Sequence, residues 1–184
     1  MEVKRIQAPL TNEVIMELKA GESVLISGIV FSARDAAHKK LVQLLERGEG
    51  LPVDLKGQIV YYVGPSPARP GRVIGSAGPT TSGRMDLYTP SLLKYGVKGF
   101  IGKGLRSDVV RKALQEYKAL YMAATGGVGA LLAKRIKAAE VVAYPELGPE
   151  AIHRFVVEDF PVTIVDDSYG NDLYEYGRRR YAQE

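Results

Sequence analysis

Threonine and arginine side chains that could bind an anion are concentrated in the segment Ser76–Asp86, SAGPTTSGRMD. Thr80 and Thr81 carry hydroxyls beside backbone N–H groups, and Arg84 follows Thr80 by one helical turn on the same face. The apolar run before the segment, together with Pro79, predicts a strand that leads through a glycine turn into a helix. The N-terminus of such a helix attracts a carboxylate or a phosphate. An ordinary capped helix with a solvated arginine is the alternative.

A second segment, Ser32–Leu41 (SARDAAHKKL), repeats this design after the apolar run Val24–Phe31, which predicts a buried strand. Arg34 and His38 share a helix face, and Asp35 is spaced to meet His38. A carboxylate beside an imidazole can fix its tautomer and raise its proton affinity. A structural ion pair at the helix start, with a surface histidine, explains the same residues.

A third segment, Phe100–Leu105 (FIGKGL), predicts a short strand that ends in a lysine between two glycines. Glycines let a ligand approach the backbone closely, and Lys103 supplies a point charge. A solvated turn lysine is again the alternative. Each of the three segments thus carries a cation at the predicted carboxyl end of a strand, which is where open α/β sheets bind ligands.

Alternating strand and helix patterns predict a single α/β domain over residues 1–184. The predicted strands are 3–10, 23–31, 59–63, 72–76, 98–101, 120–124, 141–144, 152–158 and 162–166. The predicted helices are 11–18, 34–47, 89–96, 107–117 and 130–137. A glycine turn at 125–129 lacks the lysine of a phosphate loop and is interpreted as a packing turn. Asp166 and Asp167 could ligate a cation but are more typical of a turn.

The composition limits the possible functions. The chain has no cysteine, so it offers no disulfide, no catalytic thiol and no cysteine ligand for a metal cluster. Its two histidines, His38 and His153, argue against a histidine-rich zinc site. The net charge of +4 suits an anionic substrate. The sequence lacks the stripe of basic and aromatic residues that is expected of a protein that binds nucleic acid. We find no signal-peptide pattern and no long apolar run, and expect a cytoplasmic protein without membrane contact.

Five motifs taken together resemble a known family. In order and spacing, SARDAAHKKL, GPTTSGRMD, GKG, AYPELGPEAI and VEDFPVTIVDDSYGND resemble the β subunit, or carboxy-terminal domain, of class I iron–sulfur fumarate hydratases and of L-tartrate dehydratases. The resemblance covers residues 10–174 and leaves a short basic tail, 175–184. It implies a swivelling β/β/α domain of three layers, with a mixed, mostly parallel sheet and a second sheet. The TTSGRMD segment is more similar to the fumarases than to the tartrate dehydratases.

The resemblance also implies a function. The chain would be one part of a hydro-lyase that interconverts fumarate and malate, and its cations would bind the two carboxylates of the substrate. The substrate-binding residues would be Arg34, Thr81, Arg84 and Lys103. Thr80 is one candidate for moving the proton, and His38, oriented by Asp35, is the other.

The same resemblance implies a four-iron, four-sulfur cluster that removes the hydroxyl group. Because this chain has no cysteine, the cluster would be bound by a separate α subunit, and the chain would be inactive without that partner. A hetero-oligomer is therefore expected, with no metal ligand from this chain. A tartrate dehydratase β subunit and a non-catalytic anion-binding module remain as alternatives. A structural scaffold would instead direct Arg34 and Arg84 away from each other.

Overall fold

Seven strands form one hydrogen-bonded sheet in the computed structural model, which describes residues 3–182. The strands are β1 Lys4–Ala8, β2 Ser23–Ser32, β3 Ile59–Tyr61, β4 Gly99–Gly102, β5 Leu120–Ala123, β6 Ile136–Ala143 and β7 Ile152–Asp166. The helices are α1 Asn12–Met16, α2 Asp35–Glu46, α3 Thr89–Tyr95, α4 Asp108–Glu116, α5 Gly129–Ala133 and α6 Leu173–Tyr181. Two short 3-10 helices span Ser82–Met85 and Pro145–Glu150.

The sheet closes on itself through its longest strand. Strands β1 to β5 pair in parallel, and β7 pairs antiparallel with β2, β5 and β6. Because β7 reaches both β2 and β5, the strands β2, β3, β4, β5 and β7 form a ring, with β1 and β6 outside it. The predicted α/β class and mixed sheet are confirmed. Over residues 3–182 the strands are hydrogen-bonded into one closed sheet, and the three-layer swivelling arrangement with its second sheet stays a prediction.

Both faces of the central strands are buried. Successive side chains of a strand point to opposite faces, so these strands contribute to an apolar cluster on each face. Tyr61 and Met122 belong to one apolar cluster, which also receives side chains from α1 and α5. Tyr62, Phe100 and Tyr121 belong to a second cluster on the opposite face, against α2, α3 and α4. The strand ends are therefore held from two sides, and the turns that follow them have fixed positions.

Local signals placed most helix ends correctly. The hydroxyl of Thr11 caps α1 and that of Ser107 caps α4, each by accepting a backbone N–H. Helix α3 has Pro90 in its first turn and ends at Gly96, whose φ of 121° is accessible mainly to glycine. Among the described residues, no helix has the length and apolar character needed to cross a membrane.

Four predicted elements, which fall in three regions, differ from the structure. Residues 72–76 form no strand; they belong to a loop closed by hydrogen bonds between Ser66 and Ser76. The helix predicted at 130–137 ends at Ala133, because Ile136 already pairs with Val157 in the sheet. The two strands predicted at 152–158 and 162–166 are one strand, β7, which bends through Asp159 and stays paired with β2 on both sides of the bend.

Candidate functional site

Arg34 lies between the end of β2 and the start of α2, and a carboxylate from a distant turn holds it. One oxygen of Glu150 is 3.2 Å from Nη2 of Arg34, and the other accepts the backbone N–H of Ala36 at 2.9 Å. Glu150 thus supplies the N-terminal cap of α2 that the side chain of Arg34 does not provide. The guanidinium lies against Gly64, where a Cβ would come within 2.5 Å of Nη1, so a larger residue there would displace the Arg34 side chain.

Asp35 and Arg84 join the first two segments. Nε and Nη2 of Arg84 donate to the two oxygens of Asp35 at 3.1 and 2.7 Å, in the parallel geometry that suits a guanidinium and a carboxylate. The pair is half-exposed, so its contribution to stability is about 1 kcal/mol or less. Its main effect is geometric, because it joins the segment of Arg84 to the start of α2, directly after Arg34.

His38 differs from its predicted environment. Its side chain is fully buried, with Nδ1 2.8 Å from the carbonyl oxygen of Arg34, whereas Asp35 is bound by Arg84. The expectation that Asp35 orients His38 was therefore wrong. A carbonyl only accepts, so Nδ1 carries the proton and the buried Nε2, which has no partner among the described residues, does not. Burial lowers the pKa of His38 to about 4, contrary to the expected rise, and the ring is neutral at pH 7.

The Thr80–Arg84 segment is held beside the strand ends by contacts that the sequence did not predict. No strand precedes it, and Thr80 lies outside the 3-10 helix Ser82–Met85, which we call the arginine turn, so the shared helix face of Thr80 and Arg84 was wrong. The backbone N–H of Thr80 donates to the carbonyl of Tyr62 at 2.7 Å, directly after β3. Thr81 pairs in parallel with Lys103, directly after β4. Long-range pairing therefore brings this segment to the strand ends.

A cavity of about 390 Å³ opens beside these strand ends. It is lined by Gly64, Ser66, Ser76, Gly78, Pro79, Lys103, Gly127 and Gly129. Nζ of Lys103 would be 3.9 Å from a Cβ on Gly126, and a Cβ on Gly129 would lie 2.4 Å from Oγ of Ser76. The glycine turn at 125–129 therefore packs closely against the segment before Pro79, in agreement with its interpretation as a packing turn, and two of its glycines also line the cavity.

The charges of the site favour an anion. Arg34 and Arg84 are each paired with a carboxylate, whereas Lys103 forms no ion pair with any residue of the range 3–182. Three cations thus face two carboxylates, and the excess positive charge lies at Lys103 beside the cavity. Of the three predicted cations, Lys103 lines the cavity itself, Arg34 lies against its lining residue Gly64, and Arg84 is not among the lining residues.

Behind the arginine turn lies a buried cation that sequence reasoning did not identify. The side chain of Arg106 is fully buried, and its Nε donates to Asp86 at 2.7 Å. Its Nη2 donates to Oγ1 of Thr89 at 2.7 Å, and the rings of Tyr62 and Tyr121 lie about the guanidinium at 5.3 and 4.9 Å. Asp86 belongs to the TTSGRMD motif, but nothing local in the sequence indicates its partner.

The described residues do not form a metal centre. No group of three or more histidine, aspartate or glutamate side chains within residues 3–182 could hold a metal ion, and the whole chain has no cysteine. An iron–sulfur cluster is held by thiolates. The donor set of this chain therefore does not fit such a cluster.

The environment of Asp166, at the end of β7, leads us to expect that the stability of the chain depends on pH. Its carboxylate is buried and has no hydrogen-bond partner among the described residues, and burial, aided by the charge of Asp172, raises its pKa to about 7. The folded chain then binds a proton that the unfolded chain releases, so the free energy of unfolding falls as the pH rises towards 7. Its neighbour Asp167 accepts two backbone N–H groups of the following turn, as predicted.

We expect the melting temperature of the wild-type chain to fall, relative to that of Asp166→Asn, between about pH 5 and about pH 8. The amide does not ionise, so the variant lacks this penalty. Calorimetric melting curves of both chains over this range measure the effect. The exposed Asp54→Asn is the control and should run parallel to the wild type. Parallel curves for Asp166→Asn as well would contradict the assignment.

Comparison with known proteins identifies the family. The family model for the fumarase C-terminus matches residues 1–177, and the chain belongs to this family. It is 43% identical over 152 residues to the aerobic class I fumarate hydratase of Salmonella typhimurium, covering 82% of this chain and 26% of that protein. It is 40% identical over 162 residues to fumarate hydratase 2 of Leishmania major, covering 87% of this chain and 28% of that protein.

A third relative has nearly the same length as this chain. The protein of Methanocaldococcus jannaschii named "Putative L(+)-tartrate dehydratase subunit beta" is 37% identical over 172 residues, covering 90% of this chain and 88% of its own length. The chain thus spans just over a quarter of each of the two fumarate hydratases, but almost all of a protein named as a subunit.

Proposed function

We propose that this chain is the β subunit of a hydro-lyase that interconverts fumarate and malate. The observation that carries the proposal is the pairing of Arg84 with Asp35, the residue that follows Arg34 in the chain, near the strand end where Thr81 pairs with Lys103. The names of the relatives support the reaction class. The membership of the family supports the transfer of this activity to the chain.

In this proposal the arginines and the lysine bind the two carboxylates of the substrate. Asp35 accepts hydrogen bonds from Nε and Nη2 of Arg84, so Nη1 of Arg84 stays available to donate to a substrate oxygen. Asp35 and Glu150 hold both guanidinium groups in place before the substrate arrives, which reduces the entropy lost on binding. Removal of a proton beside a carboxylate places negative charge on that carboxylate, and fixed cations stabilise this charge in the transition state.

Thr80 is the better candidate for the group that contacts the reacting carbon. It is half-buried at the end of β3, whereas His38 is fully buried and its pKa is lowered to about 4. A threonine hydroxyl acts as a base only when another group takes its proton, and that group would come from the partner. His38 would then act indirectly, by holding the carbonyl of Arg34 at the start of α2.

The iron–sulfur cluster is assigned to a partner. This chain has no thiolate, so we propose that a separate α subunit binds the cluster and completes the site. A partner subunit is consistent with the name of the Methanocaldococcus jannaschii relative and with the much greater length of the fumarate hydratases. A cytoplasmic location stays a prediction.

The purified chain is expected to show no turnover of fumarate, malate or tartrate, and activity should appear only after anaerobic reconstitution with a cysteine-containing α subunit. Steady-state assays with all three substrates, on the chain alone and on the assembled pair, test this. Hydration of fumarate by the pure chain would contradict the subunit proposal. Binding of malate without turnover by the assembled pair would indicate an anion-binding module.

A tartrate dehydratase β subunit is the second candidate. The observation in its favour is that the relative with a comparable length carries that name and is matched over 88% of its length. The same assays separate the two candidates, because they compare kcat/KM for tartrate with that for malate.

A further inference from the structure

Ser82 and Tyr121 meet underneath the candidate site. Oγ of Ser82 accepts the backbone N–H of Lys103 at 3.1 Å and lies 2.9 Å from the hydroxyl of Tyr121. The same hydroxyl of Tyr121 lies 2.8 Å from the carbonyl oxygen of Gly104. Ser82 is fully buried, as is Tyr121 on β5, so both hydroxyls are shielded from competition by water.

The directions of these hydrogen bonds follow from the groups that take part. A carbonyl oxygen only accepts, so the single proton of the Tyr121 hydroxyl is donated to Gly104. The proton of Ser82 is then donated to the oxygen of Tyr121, while Oγ accepts from Lys103. Each hydroxyl donates once and accepts once, and the chain of bonds starts and ends on the turn at residues 103–105, which we call the lysine turn. Burial raises the pKa of Tyr121 and keeps its hydroxyl protonated.

The backbone reinforces the same connection. The N–H of Ser82 donates to the carbonyl of Lys103 at 2.9 Å, so these two residues exchange hydrogen bonds in both directions. A Cβ on Gly102 would lie 1.9 Å from Oγ of Ser82, which shows how closely β4 approaches the hydroxyl. Ser82 is also the first residue of the arginine turn, which it therefore fastens to the lysine turn.

We infer that Ser82 and Tyr121 are positioning residues, whose hydroxyls fix the arginine turn relative to the lysine turn. The inference rests on the proposed function, because the two cations carried by these turns would bind the substrate. Neither hydroxyl contacts the substrate. Their effect is to hold one arginine and one lysine at the separation that a dicarboxylate requires, and a small displacement of bound groups costs up to about a hundredfold in rate.

The first experiment is independent of activity. In the full chain without a partner, the amide of Lys103 should exchange with deuterium at least about tenfold faster in Ser82→Ala than in the wild type, because its acceptor is lost. The matched control is Ser27→Ala, which removes a serine hydroxyl that accepts the N–H of Asp159 at 3.1 Å. Its Lys103 amide should exchange at the wild-type rate. Unchanged exchange of the Lys103 amide in Ser82→Ala would contradict the inference that the Ser82 hydroxyl holds the two turns together.

The second experiment uses the assembled enzyme. Tyr121→Phe and Ser82→Ala should each lower kcat/KM about 10- to 100-fold, with a clear rise in KM, and the double variant should lose little more than either single one. Loss of folded protein lowers the apparent kcat without raising KM. The control is Tyr169→Phe, which removes a hydroxyl bonded to the carbonyl of Met16 at 2.7 Å.

An unchanged KM in both single variants would overturn the positioning role. If the wild-type assembly has no activity on any of the three substrates, the proposed function fails and the catalytic part of this inference fails with it. The exchange experiment would still decide whether the two turns are fastened by Ser82. A result that contradicts the role of Ser82 can therefore be distinguished from one that contradicts the proposed function.

Discussion

Arg84→Lys is expected to lower kcat/KM of the assembled enzyme about a hundredfold, equal to about 3 kcal/mol of transition-state stabilisation. Lysine keeps the charge but lacks the planar group that binds Asp35 through two nitrogens and still presents a third to the substrate. The side chain of Arg84 is 52% exposed, so the melting temperature should change by less than about 3 °C. Turnover and melting temperature are measured on the same purified variant.

The matched control is Arg154→Lys. Arg154 also pairs with a single carboxylate, that of Glu140 at 3.1 Å, and is partly exposed on β7. It should leave both turnover and melting temperature close to the wild-type values. A twofold or smaller loss of turnover in Arg84→Lys would show that Arg84 is a solvated surface residue. A joint collapse of activity and melting temperature would show that its role is structural.

Asp86→Ala is expected to destabilise the fold by about 3–5 kcal/mol, because it leaves the buried guanidinium of Arg106 without its carboxylate. The substitution also removes the acceptor for the backbone N–H of Ser107, at 2.6 Å. For a chain of this size, such a loss corresponds to a fall in melting temperature of roughly 10 °C. Urea unfolding of the isolated chain, followed by circular dichroism, gives the free energy directly.

Asp108→Ala is the control for this experiment. Asp108 pairs with Arg111 but its side chain is 77% exposed, so its removal should lower the free energy of unfolding far less than Asp86→Ala does. In the double variant Asp86→Leu with Arg106→Met, replacement of the buried pair by apolar groups should recover much of the loss. A cost below about 1 kcal/mol for Asp86→Ala would mean that water, rather than Asp86, compensates the charge of Arg106.

Features that depend on near neighbours were predictable from the sequence. The caps at Thr11 and Ser107 and the glycine end of α3 follow from local backbone chemistry, and the structure confirms them. The candidate cations were predicted because arginine and lysine beside turn glycines are recognisable without coordinates, and their role in binding stays a prediction. The family followed from five motifs in one order, and the match over residues 1–177 confirms it.

Features that depend on distant partners were not predictable. The motif SARDAAHKKL suggested that Asp35 meets His38, but Arg84, far along the chain, binds Asp35 more favourably through two nitrogens. His38 is instead buried and contacts the carbonyl oxygen of Arg34, and its burial lowers its pKa, whereas the sequence predicted a raised pKa. The spacing of residues on one helix cannot show which partner packs against that helix.

The sequence by itself determined the family of the chain and the residue types of the candidate site, because both are recognised from short local motifs. Tertiary structure alone decided that β7 closes the ring, that Thr81 pairs with Lys103, and that Ser82 lies beneath both turns. Each of these contacts joins segments that are far apart in the chain. Their energy comes from pairing and burial that exist only after the strands have assembled, and no local pattern encodes which segments will meet.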